Sequence, residues 1–396
     1  MAAINTNSTS SWNQSKYART VSALLFTKSV AMSLANTELR ANMPDGNTIV
    51  RPTTSFLGIQ QYTANSEGTY DNLTLGSETL VINDTPMVMF TLDQINEDDA
   101  GWNIRMNTME NVAKLLREYL DGKFFAQVLN FGNNYGSTVA LSSSNAVQTV
   151  LDAAATLINA GADETKLVTC LDAFGVSKIG QNAISSTFNL SDKVYTAGWT
   201  GREVAGTQLV TTANLTMVGT FSFGGATPTD GDVVEINGYT FTMKTTLGAT
   251  AGQVLIGANG TASASNLAAA INGTTAGISH VALSAADRNK YMRGLSATSS
   301  TTTLTFTSTR GYRGAAAFSK TMANGSNKFG QFVIYACVME DGAIHLVMRD
   351  NVKSVSGRVP KTVVYEYLTW SRFGLKVFAD GAERGLILPL EARAAE

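Results

Sequence analysis

The sequence predicts a mixed α+β fold, and three stretches carry that prediction. Residues 103–130 hold one long amphipathic helical pattern, Ala146 to Thr212 alternates helical and buried-strand patterns, and Gln331 to Leu390 reads as successive strands. At 396 residues the chain is long enough for two or three cores.

In chain order, Met1 to Ser15 is rich in Asn, Ser and Thr and is expected to be extended or disordered until something binds it. Tyr17 to Leu39 follows with Val21, Leu24, Leu25, Val30 and Leu34 at loosely helical spacing, which suits an arm that needs a partner surface. From Asp45 to Asp93, two β-type runs, Thr48-Ile-Val-Arg and Leu80-Val-Ile, flank a polar, glycine-punctuated middle from Gln60 to Gly76. So long a two-stranded excursion has few core residues of its own. A lone hairpin is at best marginal in water, so this one is expected to lie on another subunit.

The helix of Asn103 to Asn130 places Met109, Val112, Leu116, Leu120 and Phe124 on one face at steps of three and four. Glu110 with Lys114 and Arg117 with Asp121 set opposite charges four residues apart. Asp98 and Asp99 precede it, which favours the positive N-terminal end. Gly122 is a weak point inside it and is expected to mark a bend.

Ala146 to Ala160 reads as a second helix ended by Gly161, Lys166 to Leu171 as a buried strand, Phe174 to Ala183 as a short helix and Thr207 to Thr212 as another strand. Met217 to about Gly325 opens and closes with Gly/Thr/Ser-rich links and reads as an inserted α+β module. Inside it, Asn237-Gly238 between Val233–Ile236 and Tyr239–Met243 is a strong hairpin signal. A short Ala-rich helix in which Asn266 to Ile271 sit and an alternating strand at Thr303 to Thr307 complete the module. Later strands are expected at Phe332–Val338, Ile344–Met348, Val363–Leu368 and Leu375–Phe378, ending with Gly385-Leu-Ile-Leu-Pro-Leu.

Hydrophobic residues make up 44% of the chain and charged residues only 15%, against roughly a quarter in ordinary globular proteins. A surface with so little charge is poorly protected against association, which fits burial against copies of itself as well as it fits a neutral, Thr-rich β protein. The formal net charge of −2 predicts no strong global attraction to nucleic acid or to an anionic membrane. Met1 to Gln14 has no apolar signal-peptide core, and the best apolar window, Val21 to Ala35, is too short to span a bilayer and carries Lys28. A soluble protein that is not secreted by the standard route is expected.

No enzyme constellation emerges. Two histidines, His280 and His345, and two cysteines, Cys170 and Cys337, lie far apart with no zinc-ligand spacing. Phosphate-loop and nucleophile-elbow patterns are absent from the sequence. The cysteines sit in apolar runs and read as buried free thiols in preference to a disulfide. Glu97 with Asp98 and Asp99 is better explained by helix capping than by a cation, and His345, in an apolar strand, by packing. Tyr195, Trp199 and Arg202 form an aromatic-basic cluster better read as a loop on the core. Lys16, Arg19 and Lys28 place charge on the arm, best read as solvated. No catalytic residue, cofactor or metal is assigned.

The order of arm, extended loop, long helix, α/β region and returning strands resembles the major capsid protein of tailed bacteriophages, the Hong Kong 97-like fold. Thr37-Glu-Leu through Gly46-Asn-Thr-Ile-Val-Arg-Pro is similar to its arm-to-loop passage. Val88-Met-Phe-Thr-Leu-Asp, then Glu97-Asp-Asp and the helix, resembles the loop's end and the spine helix. Gly206-Thr-Gln-Leu-Val-Thr-Thr-Ala-Asn-Leu resembles the strand leading out of the axial domain. Phe373-Gly374-Leu-Lys-Val and Arg384-Gly385-Leu-Ile-Leu resemble the closing strands. The resemblance covers most of the chain apart from Met217 to Gly325, whose Pro228-Thr-Asp-Gly-Asp and Ile236-Asn-Gly are similar to small modules of phage structural proteins.

The resemblance implies an N-terminal arm at residues 1–44 and an extended loop at 45–100. It implies a spine helix at 101–130 with a peripheral domain at 342–396, an axial domain at 131–216 with 326–341, and an insertion at 217–325. It further implies a non-enzymatic protein of the virion, assembled in the bacterial host cytoplasm into pentamers and hexamers that enclose double-stranded DNA. Its partners would be itself, a portal, scaffolding or cement proteins, and the packaged DNA through weak non-specific contact, with no membrane and no cofactor. Tyr62, Glu67 and Tyr70 are the expected interface anchors, because aromatics on a polar excursion suit that role. The runner-up is a β-rich phage tail or adhesion protein with the module as receptor binder, against which the long helix counts. A hydrolase with an unrecognised site is the third reading, disfavoured by the scarcity of histidine.

Overall fold

The computed structural model describes residues 19–25, 29–39, 46–54, 59, 61, 74–93, 104–185, 203–204, 206–224, 227–309, 318–358 and 364–393. The fold is mixed α+β and divides into two compact units, Met1–Arg117 with Ile344–Phe378 and Glu118–Ala343 with Ala379–Glu396.

In the first unit, Thr48–Thr54 pairs antiparallel with Leu75–Val81 in unbroken register, from Thr48 opposite Val81 to Thr54 opposite Leu75. A separate three-stranded antiparallel sheet runs in the order His345–Arg358, Val364–Lys376, Met87–Asp93. Val364–Lys376 is one continuous strand where the sequence suggested two pieces. The apolar alternation is broken by Thr369 and Ser371, which are buried, and the Thr369 hydroxyl donates to Ser354 Oγ at 3.4 Å. A small core of Ile49, Leu80, Ile82, Val347 and Phe378, with Leu39 against it, holds the hairpin's root.

Gly374 makes that root possible. A Cβ at this position would stand 2.5 Å from the Val81 carbonyl oxygen and 2.9 Å from Leu80 Cδ2. The hairpin strand therefore passes the sheet at backbone contact. Asp84 and Phe373 exchange backbone hydrogen bonds of 3.1 and 3.0 Å beside it, and Lys376 Nζ donates to the Thr79 carbonyl at 2.8 Å. The Phe378 ring receives Arg51 at 5.0 Å and Lys376 at 5.1 Å, with His345 edge-on at 4.9 Å.

The arm appears as a helical stretch at 19–25, which buries Val21 and Leu25, and the helix Val30–Leu34, whose N-terminal Ser29 hydroxyl accepts from Met32 N. Asn36 then bridges to the strand at His345, donating to the Ile344 carbonyl and accepting from Leu346 N, both at 2.9 Å. The long helix spans Ile104–Ala126 and ends in a 3-10 turn, Gln127–Asn130. Val112, Leu116, Leu120 and Phe124, four of the five residues assigned to its apolar face, are buried. Leu24 of the arm lines a cleft with Glu110, Ala113, Lys114 and Arg117 of this helix.

The second unit is built on a ten-stranded sheet whose hub is Phe332–Glu340. One edge of the hub pairs with Gly385–Arg393 along its length. The other pairs with Thr216–Ser222 through Val333–Tyr335, then with Leu167–Leu171 through Cys337–Glu340. Helices Ala146–Asn159 and Ala173–Ser185 pack on this part, the first burying Val150, Ala153, Ala154 and Leu157.

The module boundary placed at Met217 falls inside Thr216–Ser222, a strand of the main sheet. Thr303–Ser308 and Leu295–Ser300 extend that sheet outward, with Leu304 and Phe306 buried and their Thr and Ser neighbours facing the other way. A smaller four-stranded sheet, in the order Gln253–Leu255, Tyr239–Lys244, Val233–Ile236, Phe318–Thr321, carries the hairpin expected at Asn237-Gly238. Positive φ values of 52° and 80° at these two residues give the tight twisted turn. The Ala-rich helix that holds Asn266 to Ile271 spans Gly260–Asn272, with the Asn259 side chain capping its start and Gly273 its end. Phe318 of the small sheet lies 4.6 Å from the Phe332 ring, in a cluster with Phe221, Phe306 and Phe329. The module is thus welded to the sheet by an aromatic core.

No bend is needed to explain Gly122, because the helix continues through it. A Cβ there would stand 3.0 Å from both the Thr309 Cβ and carbonyl oxygen. Four residues earlier, Glu118 pairs with Arg293. The second unit therefore presses Thr309 onto helix backbone, which only glycine permits.

Two expectations follow from this packing. Gly374→Ala should destabilise the first unit by about 1–3 kcal/mol, the usual cost of overpacking, because the clashing atom is a backbone oxygen that cannot rotate away; an unchanged urea midpoint would refute the close-approach argument. The second concerns His280, whose ring is buried with Nδ1 3.0 Å from Ser279 Oγ. Burial, and then the positive charge of Arg288, hold the imidazole below its ordinary value. The folded state keeps the neutral ring, so its contribution is full above about pH 6.5 and is lost as pH falls toward the lowered value. Thermal melts across that range should show the second unit weakening in acid, and His280→Gln should flatten that dependence; equal slopes for both proteins would contradict it.

Candidate assembly surface

Among the described residues, no group of three or more His, Cys, Asp or Glu side chains is placed to hold a metal ion. No described helix is long and apolar enough to cross a membrane. His345 is packed against Phe378, and Cys170 and Cys337 are buried free thiols. Arg19 is exposed on its helical stretch. Tyr62, Glu67 and Tyr70 lie outside the described residues, as do Asp98, Asp99, Tyr195, Trp199, Arg202, Lys16 and Lys28.

What the structure brings together is apolar and uncovered. In the hairpin, side chains alternate between two faces. One face carries Ile49 and Leu80, buried at the root, with Arg51, Thr53, Glu78 and Gly76 beyond. The other carries Val50, Pro52, Leu75 and Val81, all exposed, with Leu75 at 75% and Val50 at 59%. The three-stranded sheet repeats the pattern. Met89, Leu368 and Val355 lie in one row across it and Met87, Trp370 and Lys353 in the next. Met89 is 69% exposed, Met87 55% and Val355 49%. On the opposite face, Phe90 and Tyr367 stack at 4.9 Å and Thr369 is buried.

Sequence reasoning put the contact anchors at Tyr62, Glu67 and Tyr70 in the polar middle and did not single out these exposed residues. A signal was present: Ile49-Val50 and Leu80-Val81-Ile82 set apolar side chains on both faces of short strands, the mark of strands covered on both sides. Only the register shows which of each pair lacks a cover.

No family model and no curated protein matches the chain. Among solved structures, that of Mycobacterium phage Che8 superposes with a TM-score of 0.52 at 12% identity, over 91% of this chain and 90% of that one. The capsid structure of the cyanophage P-SCSP1u gives 0.49 at 10% identity, over 92% and 88%. The acidic stable capsid structure of Helicobacter pylori bacteriophage KHP30 gives 0.47 at 10%, over 92% and 91%. At such identities a likeness speaks of fold alone. The chain shares its α+β fold, over nearly its whole length, with the Che8 phage structure.

Proposed function

We propose that this chain is a major capsid protein of a tailed bacteriophage, a non-enzymatic subunit with a Hong Kong 97-like fold that assembles into an icosahedral shell around double-stranded DNA. The observation that carries the proposal is the hairpin. Seven residue pairs stand in unbroken antiparallel register, yet only the root has a core, and the opposite face leaves Val50, Pro52, Leu75 and Val81 in water. A soluble monomer gains nothing from such an element, whereas a shell subunit lays it over its neighbour. The fold shared with the Che8 phage structure and the low charge of the chain support the same reading.

In this reading residues 45–100 are the extended loop, 101–130 the spine, 342–396 the rest of the peripheral domain, 131–216 with 326–341 the axial domain and 217–325 an insertion. The Met87, Met89 and Val355 face is a second contact. A portal and scaffolding or cement proteins complete the assembly, which forms in the host cytoplasm and persists in the virion. The net charge of −2 suits a wall that holds DNA only by weak, non-specific contact.

Negative-stain electron microscopy with light scattering, with a scaffolding protein co-expressed where one is needed, tests this directly. The wild-type chain should give closed shells or five- and six-fold rings. The double variant Val50→Asp/Leu75→Asp should keep its melting temperature, exposed substitutions costing within about 0.5 kcal/mol, yet form neither. Normal shells from that variant would sink the hairpin contact. Tyr62→Ser/Tyr70→Ser should raise the protein concentration needed for assembly about 10-fold, as loss of more than 1 kcal/mol at an anchor does; an unchanged threshold would remove both tyrosines from the interface.

A further inference from the structure

The two cysteines, 167 positions apart by subtraction of their numbers, meet at the centre of the large sheet. Cys337 on Phe332–Glu340 stands directly opposite Cys170 on the antiparallel strand Leu167–Leu171. Val210 and Ile387 flank them in the same cross-sheet row. Both are completely buried. Directly opposed residues on antiparallel strands have Cα atoms about 4.5–5.5 Å apart. That separation falls inside the roughly 4.4–6.8 Å a disulfide spans. The register therefore supplies the Cα spacing that a disulfide requires.

We propose that Cys170 and Cys337 are a latent disulfide pair, reduced in the newly folded chain and closed by a small peroxide into a bond between two central strands. The chemistry is balanced by hydrogen peroxide alone. One thiolate attacks the peroxide, its O–O bond breaks, a sulfenic acid forms and hydroxide leaves. The second thiol attacks that sulfur, the S–S bond forms, the S–O bond breaks and water departs with the thiol proton. Two thiols are oxidised and one peroxide is reduced to two waters.

Burial explains why the pair stays open in a reducing cell. The thiol–thiol hydrogen bond with Cys337, and then burial, push the Cys170 thiol well above its ordinary value, which keeps it from reacting quickly at neutral pH. The apolar surroundings exclude bulky or charged oxidants such as oxidised glutathione, but a small uncharged peroxide can enter on a local opening of the sheet. The bond would close a loop of more than a hundred residues, the class for which a crosslink restrains the unfolded chain most. The chemistry stands independently of the capsid reading. Under that reading, the bond would form once a shell leaves the host and meets oxidising surroundings.

The test uses the full chain treated with hydrogen peroxide at mildly alkaline pH, then unfolded in guanidinium with iodoacetamide and digested with trypsin. The expected product is the peptide Leu167–Lys178 joined to Phe329–Arg349, lacking two hydrogens and unalkylated, and separated by dithiothreitol. The oxidised protein should melt about 5 °C higher, a shift abolished by the same reductant. Recovery of both cysteines fully alkylated, or as sulfinic acids without a crosslink, overturns the proposal. Cys337→Ala should show neither crosslink nor shift; a shift that persists in it also overturns the proposal. If that variant fails to fold, the wild-type peptide map decides alone.

Discussion

The second unit depends on a single strand that no other element can replace. Phe332–Glu340 is hydrogen-bonded on both edges and shared among three partners, one of which, Leu167–Leu171, comes from far earlier in the chain and another, Gly385–Arg393, from its end. Its sequence, Phe-Val-Ile-Tyr-Ala-Cys-Val-Met-Glu, is nearly continuous in apolar residues, as a strand buried on both faces must be. Phe332, at its start, lies against Gly219 of the neighbouring strand, where a Cβ would come within 2.3 Å of the ring. The same ring nucleates the aromatic cluster that receives Phe318 from the smaller sheet. One strand therefore fixes the main sheet and also seats the module beside it.

The first unit is organised on a different principle. Its shared core at the hairpin root is a handful of side chains around Phe378, and its stability there rests on close backbone passage at Gly374 and on cations over one ring. Each cation–ring contact at an exposed site supplies only about 0.5–1 kcal/mol. Beyond that root the hairpin has hydrogen bonds and little else. Net hydrogen-bond contributions of about 1 kcal/mol each do not offset backbone ordering of about 1–2 kcal/mol per residue, so the described residues hold the distal hairpin far less firmly than its root.

Much of this was legible in the sequence because local patterns agreed with tertiary placement. The three-and-four spacing of Val112, Leu116, Leu120 and Phe124, the Asn237-Gly238 turn and the mostly apolar Leu167–Leu171 run each have a local pattern that agrees with the structure formed. The illegible parts are those where context overrides pattern. Thr369 and Ser371 are polar yet buried, which hid the continuity of a long strand. The Thr- and Ser-rich stretch around Phe221 looked like a link into an inserted module, and Thr303 to Thr307, legible as a strand, was assigned to that module and not to the main sheet, because hydroxyl residues fill one face of a half-buried sheet as readily as a loop. Gly374 and Gly122 owe their identity to neighbours distant in sequence, which no local window contains. The candidate surface was harder still, since Val50 and Ile49 are indistinguishable by composition and differ only in which face the register gives them.

The two units also treat their sheet edges differently. Exposed strand edges invite pairing with other chains, and proteins blunt them with charge, proline or brevity. On one side of its hub the large sheet ends in the two-residue strand Glu203–Val204 and in Leu295–Ser300, whose exposed positions are Ser and Thr, and on the other Gly385–Arg393 is followed only by the two-residue strand Asn133–Asn134. The terminal strands Glu203–Val204, Leu295–Ser300 and Asn133–Asn134 offer little to a partner. One edge of the small sheet in the first unit is instead Met87–Asp93, seven residues long, with Met87 and Met89 in water and no lysine or proline within it. A chain selected to remain single would be expected to guard that edge as it guards the others. Among the described residues no strand pairs with its outer edge, and the exposed hairpin face belongs to the same unit, so the uncovered apolar surface lies in the unit with the thinner core.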